Sequence, residues 1–305
     1  MSAGMGVLTI LMTLLGWSSI PLFLRYYSEH IDPWTSNGWR YGASALFWAP
    51  VLIVTAVRGR WPAGLWRAAL IPGSINVCGQ ICFVWAHYQI EPGLLTFGLR
   101  SQILFAAIGA YLLFPPERAV IRTPSYLWGA LLVLTGTSGS ILLSPHSIDW
   151  SRLSGFGLSV ASGGLFACYA LSVRKYLPGV SSVMAFAAIS QLTAIVMVAL
   201  MFVLGQRYGA DVWNLSREQI VWLLMSALIG IALGHVFYYM SIARLGVAVS
   251  AGVLQLQPFL VAVASYLLFG EVLQVGQWLA GGVAIGGAML MLAIQLRVSQ
   301  QRNSR

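Results

Sequence analysis

Residues 79–117 read GQICFVWAHYQIEPGLLTFGLRSQILFAAIGAYLLFPPE, and residues 234–271 read GHVFYYMSIARLGVAVSAGVLQLQPFLVAVASYLLFGE. A shift of 155 residues lays Gly79 on Gly234, Gln80 on His235, Arg100 on Gln255 and Tyr111-Leu-Leu-Phe on Tyr266-Leu-Leu-Phe. Each copy reads as an apolar helix, a very short turn and a second apolar helix. The doubling predicts that the chain is built from two related halves, and the fold follows from what each half contains.

Around these copies the chain is 58% hydrophobic and only 8% charged, far below the roughly 25% charged residues of a soluble domain. Apolar runs of about 20 residues recur along it, the length that spans a bilayer as a helix. The reading is an all-α integral membrane protein. Ten spans are expected, roughly 4–25, 35–57, 66–88, 93–114, 124–143, 153–173, 180–204, 219–243, 247–270 and 274–296. Helix breakers mark the turns: Asp32-Pro33, Glu91-Pro92-Gly93, Pro124 and Pro178-Gly179 among them. The first run lacks a basic N-terminal region and is long enough to span, so it reads as a transmembrane helix, not a signal peptide.

The net charge of +9 does not call for nucleic acid, because nearly all the cations lie between apolar runs. Alternate connections divide them unevenly. Eleven fall on the side that carries Arg58, Arg118, Arg174 and the C-terminal Arg297 to Arg305, and four, Arg25, Arg152, Arg207 and Arg217, on the other. Positive charge marks the cytoplasmic side, so both termini are expected there, with the protein in a bacterial inner membrane. Nothing in the sequence asks for a cofactor or a metal. The three cysteines have no ligand spacing.

Five spans fall in each half, 1–145 and 150–296, with a short polar cytoplasmic tail at 297–305. Two repeats with an odd number of spans enter the membrane in opposite orientations. Inverted repeats are a common plan for secondary transporters, with substrate held near the midplane between the halves.

The residues of the second copy also carry a family resemblance: Tyr238-Tyr239, Ala243-Arg244-Leu245-Gly246, Gln257-Pro258 and Leu268-Phe269-Gly270-Glu271. With Gly16-Trp17-Ser18 and Gly38-Trp39-Arg40-Tyr41, this pattern resembles the EamA family of the drug/metabolite transporter superfamily. The resemblance implies ten helices, two EamA repeats, and export or exchange of a small metabolite such as an amino acid. The first copy departs from the pattern, with Gln102-Ile103 for Gln257-Pro258 and Pro115-Pro116-Glu117 for Gly270-Glu271. The halves are therefore expected to be functionally unequal. An integral-membrane enzyme or a passive channel is the alternative, but no HExxH motif, acid pair, matched nucleophile and base, or selectivity loop is present.

Charged and polar residues inside spans are costly and so mark the candidate site. Arg100 lies about 10 Å into its span at roughly 1.5 Å per residue. It reads either as an anchor for a substrate carboxylate or phosphate or as a structural cap on helix-end carbonyls, with Thr96 one turn before it. Arg40 shares a helical face with Asn37, Tyr41 and Ser44. Asn76, Gln80 and His87 share another. His235, the counterpart of Gln80, is followed by Tyr238 and Tyr239 and is a candidate for proton coupling. Trp17 and Trp85 are candidates for substrate contact, and Gln255 for lining beside the kink expected at Pro258. The glycines of the last helix in each half, Gly282 and Gly286 among them, read as close-packing or homo-oligomer surfaces.

Overall fold

The computed structural model describes residues 3–115, 118–143, 150–245, 250 and 253–303. The described residues are helices joined by short turns. In the first half these are α1 (Ala3–Tyr27), α2 (Pro33–Val57), α3 (Leu65–His87), α4 (Pro92–Leu99), α5 (Gln102–Leu113), the single turn α6 (Arg118–Ile121) and α7 (Pro124–Leu142). The second half has α8 (Trp150–Tyr176), α9 (Ser182–Leu204), a 3₁₀ stretch at Gln206–Asn214, α10 (Arg217–Ser226), a π-helical stretch at Ala227–Leu233, α11 (Gly234–Leu245), α12 (Gln257–Phe269) and α13 (Val275–Asn303). Among the described residues, seven helical stretches are long and apolar enough to cross a membrane, with α4 and α5 counted as one. The outside of the bundle is apolar, with Leu46, Val57, Val203 and Leu267 each more than 70% exposed. An apolar belt on that scale is a surface for lipid. The molecule is an integral membrane protein.

Three departures from the expected spans matter for the site. The fourth span is broken at Arg100-Ser101, between α4 and α5. The eighth runs from Arg217 to Leu245 but passes through the π stretch, where the hydrogen-bond register widens. The last helix continues through Arg297 to Asn303, into the segment expected to be a polar tail.

The helices start where their caps dictate. Asp32 Oδ1 accepts from Trp34 N at 2.9 Å and Thr35 N at 3.0 Å, ahead of Pro33 at the first helical position. Such a cap stabilises a helix by about 1 kcal/mol. Ser216 and Gln219 form a reciprocal capping box at the start of α10.

The halves pack against each other in matched pairs. α1 lies on α11 and α3 on α8, while α2 packs on α9, α4 on α12 and α7 on α13. Exchanging the halves turns α1 on α11 into α8 on α3, and returns α2 on α9 and α7 on α13 to themselves. The doubled glycines show why at atomic scale. A Cβ at Gly79 would stand 2.9 Å from the Phe166 ring, and one at Gly234 would stand 2.5 Å from Trp17 Nε1. Each glycine lets an aromatic ring of the opposite half lie against its helix. The Gly-rich helices meet in the same way: a Cβ at Gly136 would fall 2.3 Å from Ala284 N, and one at Gly287 2.5 Å from Gly129 O. Gly282 and Gly286 have open space in front of them.

At one end of the bundle the turns that follow α1, α3, α9 and α12 are tied together. Arg25 Nε meets Glu271 Oε1 at 2.8 Å, and Arg152 Nη1 meets Glu91 Oε1 at 2.7 Å. Tyr88 donates its hydroxyl to Ile31 O at 2.6 Å, and the Gln206 amide donates to Asp32 Oδ2 at 3.1 Å.

Candidate functional site

His235 opens α11 immediately after the π stretch. Its ring stacks on Phe186 of α9 at 4.6 Å, meets Trp17 of α1 edge-on at 5.2 Å and lies 6.5 Å from Tyr169 of α8. Helices therefore surround it on several sides, yet it keeps accessible surface, as do Trp17, Tyr238 and Tyr239. These side chains form an aromatic cluster between the halves. His235 Nδ1 stands 3.1 Å from Ile231 O. A carbonyl only accepts, so Nδ1 carries the proton and Nε2 is left as an acceptor. Tyr169 and Tyr239 close one side through a hydroxyl pair at 2.7 Å.

The π stretch is held from the first half. Trp17 Nε1 donates to Gly230 O and Trp48 Nε1 to Ala232 O, both at 3.1 Å. A π turn weakens the normal i to i−4 ladder, and the two indoles supply donors to carbonyls there. Trp17 thus belongs both to the aromatic cluster and to the support of the helix that carries His235.

Arg100 sits at the break between α4 and α5 and is buried. Each of its three nitrogens donates to protein. Nε reaches Thr96 O at 3.2 Å, Nη1 reaches Leu254 O at 2.9 Å and Nη2 reaches Gln257 Oε1 at 3.0 Å. Gln257 passes the connection on through Nε2 to Trp17 O at 2.9 Å. The Leu254 contact has a simple origin. In a helix that carbonyl would accept from residue 258, and Pro258 has no N–H to give. Arg100 of one half fills the vacancy that Pro258 leaves in the other. Two mismatches between the copies, Arg100 against Gln255 and Ile103 against Pro258, are the two ends of one interaction.

Arg40 lies in α2, 2% exposed. Among the described residues its guanidinium makes one hydrogen bond, from Nε to Ser226 Oγ at 3.0 Å, and has no carboxylate within ion-pair distance. Asn37, one turn before it, donates Nδ2 to Gln80 O at 3.3 Å and leaves Oδ1 without a partner. Asn76 donates Nδ2 to Thr193 Oγ1 at 3.0 Å and likewise leaves Oδ1 unmet. His87 Nδ1 is 2.7 Å from Phe83 O, and its Nε2 is buried without a partner.

The sequence-derived candidates thus separate into groups. Trp17, His235 and Tyr239 belong to the aromatic cluster. Arg40, Asn76 and Gln80 belong to the buried polar layer between α2, α3 and α9. Arg100, Thr96 and Gln255 stand where α4 and α12 are interrupted. Thr96 gives Arg100 its backbone carbonyl and turns its own hydroxyl to Gly93 O at 2.8 Å. Trp85 stands apart, edge-on to Trp34 at 5.9 Å. Tyr169, Phe186 and Ser226 are absent from the sequence reading. The two aromatics lie in apolar helices where nothing in composition distinguishes them from packing residues.

A polytopic membrane protein of two interlocked helical halves, with an aromatic cluster and buried cations between them, is the class this geometry defines. The chain belongs to the EamA-like transporter family, whose profile matches residues 4–142 and again 153–293, one match per half. Among solved structures it is similar to one titled "Crystal structure of protein", at 18% identity and a TM-score of 0.63. That match covers 97% of this chain and 99% of the other, a likeness of fold. No curated protein matches the chain by sequence.

Proposed function

We propose that the protein is a secondary transporter working by alternating access, an exporter or exchanger of a small organic metabolite such as an amino acid. The observation that carries this reading is the exchange pattern of helix contacts, α1 on α11 against α8 on α3, with α2 on α9 and α7 on α13 their own counterparts. Two halves that interlock this way have two related packings available, one open to each side of the membrane. Ten spans in two inverted five-helix repeats account for that pattern. They also account for the turns after α1, α3, α9 and α12 meeting at one end. The charge division puts that end outside and both termini in the cytoplasm.

In this reading the rings of Trp17, Tyr238 and His235, which meet between the halves, part to admit the substrate. The ion pairs of Arg25 with Glu271 and Arg152 with Glu91 are contacts that opening of the outer end separates. Family membership and the fold support a carrier; the metabolite class comes from the sequence resemblance.

Counterflow in proteoliposomes tests the proposal. Vesicles preloaded with a candidate amino acid should take up its labelled form faster than empty ones. A channel gives equal rates with and without internal substrate, and that result would remove the alternating-access reading.

A further inference from the structure

The chain buries two guanidinium groups and treats them differently. Arg100 has an acceptor for each nitrogen. Arg40 has one for Nε alone. The ionisable groups that act on Arg40 electrostatically are the hydroxyls of Tyr27, Tyr41 and Tyr88 and the imidazole of His87, none of them an anion at neutral pH. Two of those hydroxyls donate elsewhere, Tyr27 to Gln219 O at 2.5 Å and Tyr88 to Ile31 O at 2.6 Å. The nearest acid in sequence, Asp32, is committed to the cap of α2 and to Gln206. A buried cation so placed lacks the compensation such groups normally have.

At the outer end an open pocket of about 310 Å³ is lined by Glu29, Ile31, Asp32, Tyr88 and Gln206 among others.

We propose that the terminal nitrogens of Arg40 bind a small monoanionic group, either the carboxylate of the transported molecule or a free anion such as chloride. The guanidinium fork matches a carboxylate through two parallel hydrogen bonds. Ser226 fixes the fork by holding Nε. The carboxylate source rests on the transporter reading above; the anion site itself does not.

The test uses the full chain in detergent, with sodium formate and sodium chloride as probes and thermal unfolding as the readout. At least one probe should raise the wild-type midpoint saturably, and neither should do so for Arg40→Gln. Arg40→Lys keeps the charge without the fork and should bind formate at least about tenfold more weakly. A saturable shift of equal size in Arg40→Gln, or no shift in the wild type, overturns the site. Should Arg40→Gln not fold, unchanged formate affinity in Arg40→Lys overturns the carboxylate fork. Saturation by formate alone assigns the site to a substrate carboxylate; saturation by chloride assigns it to the free anion. Proteoliposomes then separate this site from the transport reading. For a carboxylate substrate that the wild type exchanges, Arg40→Gln should raise KM about a hundredfold, the worth of two charged hydrogen bonds. A wild type that exchanges nothing removes the transport reading and leaves the midpoint data to decide the anion site.

Discussion

Arg100 and Arg40 look alike in the sequence: single arginines inside apolar spans of the first half. In the fold they are opposites. Arg100 bridges the halves, from the break between α4 and α5 to the start of α12, and gives one hydrogen bond from each nitrogen. Arg40 is more deeply buried, 2% against 8% exposed, and gives one in all. Burial alone therefore does not tell a binding cation from a structural one. The census of acceptors does. A charge that the protein itself satisfies is part of the scaffold, and one that it leaves open is available to a ligand.

The sharpest way to break this comparison is Arg100→Leu. It leaves Leu254 O and Gln257 Oε1 buried without a donor, and hydrogen bonds to charged groups are worth about 1.5–3 kcal/mol each. A loss of at least about 3 kcal/mol is expected, read from denaturant unfolding in a mild detergent. A fall below about 1 kcal/mol would mean that Arg100 is not the tie described here.

A smaller effect isolates the proline. In Pro258→Ala the amide returns and can supply Leu254 O from within the helix. Combined with Arg100→Leu, it should recover about 1 kcal/mol, the usual net worth of one backbone hydrogen bond. Strict additivity in that double-mutant cycle would show that Arg100 and Pro258 are not coupled.

The two copies made much of this legible. Gly79 and Gly234 align in the sequence, and each admits an aromatic ring of the other half. The mismatched pairs, Arg100 with Gln255 and Ile103 with Pro258, flag the node between α4 and α12. The sequence leaves open whether Arg100 anchors a ligand or caps carbonyls, because its acceptors lie 154 and 157 residues away. The π stretch was not legible at all. Ala227–Leu233 is plain apolar sequence, and a change of hydrogen-bond register leaves no compositional mark. The same holds for Tyr169 and Phe186, whose rings meet His235 only in the folded bundle, where α9 packs on α11. Ser226 is one more serine in a membrane helix until Arg40 is seen to use it.

The most direct measurement sets the two arginines side by side. Arg100→Leu and Arg40→Leu are unfolded thermally in one detergent, without carboxylates and at low chloride. Removing Arg40 orphans no buried donor, since Ser226 Oγ still gives its hydrogen to Leu223 O, and a buried charge replaced by an apolar side chain is often neutral or stabilising. The account predicts that Arg100→Leu melts roughly 5 °C or more below the wild type, while Arg40→Leu melts at or above it. Equal falls in the two variants would contradict the account.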